Sequence, residues 1–229
     1  MTYKILIFFN SLWLFFCFHG YNLQGQVSSR LDRDPKAKVT LDLMKKRYES
    51  FLSLDISFSL EMEIPNQSRQ IQKGQFIRKG IRYKLVLDQQ TVLCDGKSLW
   101  VILNKEKEIQ INDMPDSQDN GDILSPEALF NIYKRKDLSY LVLKEYADKG
   151  RLLQQIGFKP EDQMADYSKL ELVLDKKSGE IISFKAFAKD GSRYFFRFGA
   201  PKINQIFPDT FFQYKKSDFP GYYVEDLRS

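Results

Sequence analysis

From Leu54 to Ile64 the chain alternates without a break. Leu54, Ile56, Phe58, Leu60, Met62 and Ile64 are apolar, and Asp55, Ser57, Ser59, Glu61 and Glu63 between them are polar. Successive side chains of a β-strand point to opposite faces, so this register puts six apolar groups on one face of a strand about 36 Å long. A helix would scatter the same residues around its circumference. One face of such a strand must be covered while the other tolerates water, the condition of an antiparallel sheet packed on one side only.

Shorter runs of the same period follow. Ile81, Tyr83, Leu85 and Leu87 form one, Leu170, Leu172 and Leu174 another, and Ile182, Phe184, Ala186 and Ala188 a third. Turn signals separate the runs at Lys79-Gly80, Asp95-Gly96, Asp148-Lys149-Gly150, Ser178-Gly179 and Asp190-Gly191-Ser192, each suited to a tight hairpin. The spacing predicts nine to eleven strands, mostly in antiparallel hairpins, in a sheet that curls and needs a cover.

Two amphipathic helices are available for that purpose. Asp34 can cap a helix opened by Pro35 that presents Ala37, Leu41, Met44, Tyr48 and Phe51 on one side. Ser125 and Pro126 can open a second, with Leu129, Phe130, Ile132 and Tyr133 on its apolar side. Apolar stripes of this kind are ordinarily core, and pattern alone does not tell a plug from a lid.

Ahead of these elements lies a leader. Lys4 precedes about fourteen mostly apolar residues, Ile5 to Phe18, broken only by Asn10 and Ser11. That is shorter than the roughly 20 residues a membrane-spanning helix needs and has the layout of a secretory signal peptide. We read residues 1–25 as cleaved near Gly25 and Gln26, leaving 26–229 as a single domain. Cys17 lacks the small preceding residues of a lipidation site, since Phe15 and Phe16 stand there.

Cleavage would leave a chain without histidine, because His19 is the only one, and with the single cysteine Cys94. Histidine-dependent nucleophile systems and His-ligated zinc then drop out, and so does an internal disulfide. Cys94 ends an apolar strand with no cationic neighbour to activate it and reads as a small buried hydrophobe. Losing Lys4 takes the formal charge from +5 to +4. Cations and acids are interleaved, as in Lys105-Glu106-Lys107-Glu108, so no basic stripe points to nucleic acid. Asp116 to Glu127 nearly fits a twelve-residue calcium loop, but Gln118 replaces a required ligand and Pro126 suits a helix start, so a solvated capping loop is expected, with no metal or other cofactor. The segment from Pro201 onward is aromatic and coil-like and should dock on the body.

The segment Val92-Leu93-Cys94-Asp95-Gly96-Lys97-Ser98-Leu99-Trp100 resembles the V-x-D-G-K-T-L-W hairpin of the LolA-type outer-membrane lipoprotein carriers. The N-terminal helix, the long strand, Gln72-Lys73-Gly74 to Arg78-Lys79, the Ser125-Pro126 helix and the Pro220-Gly221 to Asp226-Leu227-Arg228 ending follow in the family's order. The resemblance implies a mainly β fold with α elements: an incomplete antiparallel β-barrel, a strongly curved sheet covered by two to three helices acting as a lid.

It further implies a monomeric periplasmic chaperone, not an enzyme. Such a carrier holds the acyl chains of lipoproteins in a hydrophobic cavity, receives them from an inner-membrane ABC transporter, and passes them to the outer membrane, through an acceptor where one exists. Carried onto this chain, the cavity falls to Ile56, Phe58, Leu60, Met62, Phe76, Tyr83, Leu85, Val92, Phe184 and Phe196. The lid falls to Leu129, Phe130, Ile132 and Tyr133. The face of Trp100 stays open, because Leu99 and Val101 are apolar too. The chain departs from the family at Gly80, where the resemblance places a lid-latching arginine; Arg78 and Arg82 lie on either side. A lipid-sensing module on the same fold and an exported hydrolase built on a carboxylate pair are the rival readings.

Overall fold

The computed structural model describes residues 33–114, 129–132 and 135–228. Helix α1 (Pro35–Glu49) leads into β1 (Leu54–Glu63), β2 (Gln70–Lys79), β3 (Arg82–Leu87), β4 (Gln90–Cys94), β5 (Ser98–Leu103) and β6 (Glu108–Asp113). After a crossing segment come β7 (Leu138–Asp148), β8 (Arg151–Pro160), β9 (Tyr167–Asp175), β10 (Ile181–Ala188) and β11 (Arg193–Phe198), and then the short β12 (Lys202–Ile203) and β13 (Tyr223–Asp226). All thirteen strands belong to one curved, unclosed sheet in the order β13-β6-β5-β4-β3-β2-β1-β11-β10-β9-β8-β7, with β12 paired to β1 off that path.

This order explains where a cover must come from. Hairpins carry the chain outward from central β1 to β6, and a second hairpin series returns it from β7 to β11 beside β1. The link from β6 to β7 therefore joins opposite sides of an open sheet. Of this link, residues 129–132 lie on the concave face, where Leu129 and Phe130 are helical and fully buried with Ile132.

The long alternation forms β1 as expected. Leu54, Ile56 and Phe58 enter the main core with Leu60 partly buried beside them. On the opposite face Glu61 is also buried, held between Arg69 and Arg197, and Asp55 accepts a hydrogen bond from the Gln75 amide at 2.7 Å. Ring packing fixes one glycine of the Gln72-Lys73-Gly74 motif. Phe58 and Gly74 are directly paired across β1 and β2, and a Cβ at Gly74 would fall 2.3 Å from the tip of the Phe58 ring.

Helix α1 begins at Asp34, whose carboxylate accepts the Lys36 N–H at 2.8 Å, and buries Ala37, Leu41, Met44 and Tyr48. It is fastened along its length. The turn at Gly179 (φ +69°) lies so close that a Cβ there would come within 2.7 Å of the Met44 backbone nitrogen. The Tyr48 hydroxyl accepts the Ile181 N–H at 3.1 Å, and the Arg78 guanidinium donates to the Tyr48 carbonyl at 2.9 Å.

Several expectations are corrected. Among the described residues thirteen strands replace nine to eleven, because β12 and β13 form within the segment read as coil: neither alternates, and each exists because β1 or β6 offers it a partner. Ile181, not Ile182, points inward with Phe184 and Ala186, since a register shift between Ile181 and Ser183 resets the period. Ile81 is exposed in the turn before β3 instead of joining it. The calcium-like loop lies outside the described residues except for its approach from β6. Among the described residues no group of acids or cysteines is arranged to hold a metal.

Trp100 now has a side. Leu99 and Val101 join the main core, whereas Trp100 packs on the outer face with Leu93, Ile102 and Ile109, under Tyr214, Phe219 and Tyr222 of the C-terminal segment. Both faces of β5 are buried there, which is why its residues are continuously apolar.

Candidate functional site

The concave face gathers one apolar cluster from both halves of the sheet. Ile56 and Phe58 of β1, Phe76 of β2, Leu85 of β3 and Val92 of β4 meet Phe184 of β10 and Phe196 of β11, and all seven are buried. Leu60 and Tyr83 pack against the cluster with part of their surface open. Met62 is buried but lies outside it, near the β1–β2 turn and paired with Gln70 and Tyr194. The period of two brought these residues together because cross-strand partners share a face.

The cover is aromatic. Phe130 is 1% exposed, and its ring stacks on Phe76 at 5.7 Å, meets Tyr48 at 4.9 Å and Phe198 at 5.7 Å. Three elements, β2, α1 and β11, thus converge on one side chain of the crossing segment. Leu129 and Ile132 enter the same cluster; Tyr133 lies outside the described residues. The segment is tied where it leaves β6, by Met114 N–H to the Lys97 carbonyl at 3.1 Å. Where it approaches β7, Arg33 donates to the Lys136 carbonyl at 2.8 Å and Arg135 pairs with Asp137.

Sequence reasoning missed part of this face. Phe198 follows Tyr194 and Phe196 at period two and could have been found on that signal. Ile156 and Phe158 of β8 and Tyr140 of β7 also join the cluster, from strands whose sequence alternates poorly. Tyr48 was expected on the buried side of α1, but its contact with Phe130 depends on tertiary placement. Burial pushes the Tyr48 hydroxyl pKa up, partly offset by the bond from Ile181.

The two arginines near Gly80 have different partners. Arg78 reaches α1 through the Tyr48 carbonyl. Arg82 points elsewhere: with Lys79 it grips Asp209, at 2.8 and 3.0 Å, in a short 3-10 turn that includes Phe211 and Phe212. These bonds, the Lys79 contact foremost, hold the Asp209 carboxyl below its usual range. Cys94 is fully buried, its thiol 4.0 Å from the Ile81 carbonyl.

The chain matches the family model described as outer membrane lipoprotein carrier protein LolA over residues 49–215. Among curated protein sequences none matches it. An uncharacterized conserved protein from Thermus thermophilus has the same fold at a TM-score of 0.54, over 84% of this chain and 99% of that one, with 10% identity. A LolA superfamily protein from Nitrosomonas europaea aligns at a TM-score of 0.40, over 78% of this chain and 97% of that one, with 13% identity. The family match takes in every strand from β1 to β12, the crossing segment and the Asp95-Gly96 hairpin; it leaves out most of α1 and all of β13. On that match, with a curved sheet whose concave apolar face is covered from above, the chain belongs to the LolA family of outer membrane lipoprotein carrier proteins.

Proposed function

We propose that the protein is a periplasmic carrier for the acyl chains of lipoproteins. The observation that carries this reading is the Phe130 cover, an apolar segment laid over an apolar sheet face within a lipoprotein-carrier fold. Displacing that segment would expose a surface built from Ile56, Phe58, Leu60, Phe76, Tyr83, Leu85, Val92, Phe184 and Phe196, with Met62 at its far end. Acyl chains then replace protein side chains as the partner of that surface. Each methylene sheltered is worth ~0.8 kcal/mol, so ten supply about 8 kcal/mol, near micromolar affinity before ordering costs.

In this reading residues 1–25 direct export and are removed, and 26–229 act as one domain. An inner-membrane ABC transporter loads the carrier and the outer membrane receives the cargo, through an acceptor that holds the lipid more tightly. Loading requires no bond to be broken. The opening element is the Leu129 to Ile132 segment, because α1 is bonded to the sheet at both ends.

The test is mass spectrometry of what co-purifies with the protein from the cell envelope, combined with displacement of a fluorescent fatty acid. Bound acyl lipid released intact, in near-stoichiometric amount, is the expected result. Protein that carries no acyl species and fails to bind the probe would reject the carrier reading, and cleaved lipid products would favour a hydrolase.

A further inference from the structure

Leu52 and Ile206 expose 78% and 98% of their surface and Ile203 exposes 43%, yet none hangs on a loose loop. The Leu52 N–H donates to the Asn204 side-chain oxygen at 2.9 Å, and the Asn204 N–H donates to the Ser53 carbonyl at 2.9 Å. The Ser53 hydroxyl donates to the Gln205 carbonyl at 2.7 Å, and Lys79 Nζ to the Phe207 carbonyl at 2.9 Å. Asn204 adopts a φ of 56° in this arrangement, a left-handed conformation that asparagine tolerates better than most residues. Two segments 152 residues apart in sequence are therefore bonded together, and three aliphatic side chains project from the joint. Isolated exposed aliphatics are ordinary; a rigidly presented group of them marks a contact surface.

The margin of this group is cationic. Lys79 and Arg82 share the one carboxylate of Asp209, leaving an uncompensated positive charge beside Phe207. Lys84 stands over the Phe211 ring at 4.8 Å. Aliphatic groups bounded by lysine and arginine match a bilayer surface with anionic headgroups, where the apolar side chains enter the headgroup boundary and the cations meet phosphates. The patch also adjoins the cover. Phe51, next to Leu52, meets the Tyr48 ring at 5.6 Å, and Tyr48 meets Phe130 at 4.9 Å.

We propose that Leu52, Ile203 and Ile206, with Lys79, Arg82 and Lys84 at their margin, form a docking surface for anionic phospholipid bilayers. Docking there sets the α1 end of the covered face against the membrane. The proposal rests on the exposed surface and does not depend on which cargo the concave face holds.

Flotation of the processed protein with vesicles of phosphatidylglycerol and phosphatidylcholine in equal parts, against vesicles of phosphatidylcholine alone, tests it. The wild type should float with the anionic vesicles, weakly with the neutral ones, and less at high salt; Leu52→Asn/Ile206→Asn should weaken binding by about tenfold or more. Both side chains lie in solvent, so the variant should fold, and its fatty-acid uptake should equal that of the wild type. Equal flotation of the double variant, or a wild type that ignores anionic vesicles, would overturn the proposal. Loss of transfer to a protein partner by a variant that floats normally would assign the patch to that partner instead, with the same consequence. Failure of acyl binding with flotation intact would count against the carrier reading alone.

Discussion

Asp34 joins Val142 to the start of α1 through one carboxylate: one oxygen accepts the Lys36 N–H at 2.8 Å and the other the Val142 N–H on β7 at 3.0 Å. The Asp34 N–H completes the junction by donating to the Tyr140 carbonyl at 3.0 Å. A helix cap thus doubles as a partner for the outermost strand, and these bonds, that from Val142 first, lower the Asp34 pKa. Asp34→Ala should free both donors. Amide exchange at Val142 should accelerate by roughly tenfold, with little change at the centre of β1. Unaltered exchange at Val142 would mean that the cap does not restrain β7.

Gly74 lies under the Phe58 ring, so Gly74→Ala should destabilise the fold by about 1–3 kcal/mol through overpacking. Because the clash is with one side chain, Phe58→Ala in the same protein should recover part of that loss. Denaturant midpoints of the two single variants and the double variant give the coupling, which should be well away from additive.

Phe130 is the side chain on which β2, α1 and β11 converge. Phe130→Glu should cut fatty-acid affinity by more than about tenfold, since a carboxylate is costly in an apolar site, while the β circular-dichroism signal persists. Leu129→Glu should do the same. Wild-type uptake by both variants would show that the segment plays no part in closure.

Acid should weaken the β9–β10 turn. The Asp175 side chain is only 10% exposed, and burial raises its pKa. Arg151 Nε at 2.7 Å and the N–H groups of Ser178 and Lys177 at 2.8 and 2.9 Å outweigh burial and bring it down to about 2. A carboxyl with a folded-state pKa below its unfolded value contributes stability above the unfolded value and loses it as pH falls through the folded one. Stability should therefore fall between about pH 5 and 2, with Asp175 contributing about 1–2 kcal/mol of the decline. Asp175→Asn should flatten that part of a stability-against-pH curve; an unchanged slope would place the acid sensitivity elsewhere.

Trp100 should report on the C-terminal segment and stay silent about cargo. Its ring lies 6.5 Å from Tyr214 on the outer face, and Tyr214 stacks with Phe219 at 5.7 Å. Phe219→Ala should shift Trp100 emission to longer wavelength, whereas fatty-acid loading should leave it in place. A large change on loading would mean that the outer face senses the inner one.

Most of the concave face was legible because a period of two is a local signal. Ile56, Phe58, Leu85 and Phe184 fall on alternating runs set between hairpin turns, whereas Phe76, Val92 and Phe196 came from the family resemblance. The limits are equally specific. Nothing local distinguishes Ile181 from Ile182 once a register shift intervenes, and nothing in Tyr223–Asp226 announces a strand until β6 is present to pair with it. Arg78 and Arg82 are alike in sequence, and only the folded chain gives one α1 and the other Asp209. Trp100 was ambiguous for a physical reason, since a strand buried on both faces loses its alternation.

The parallel pairing of β13 with β6 couples Tyr223 to Glu108 and Asp226 to Ile111. Without residues 223–226, β6 has β5 on one side and bare amides and carbonyls on the other. A product released prematurely by the ribosome would keep this sticky border and recruit other copies through it. Covering that border is thus a second task of Tyr223–Asp226, beyond anchoring the C-terminal segment.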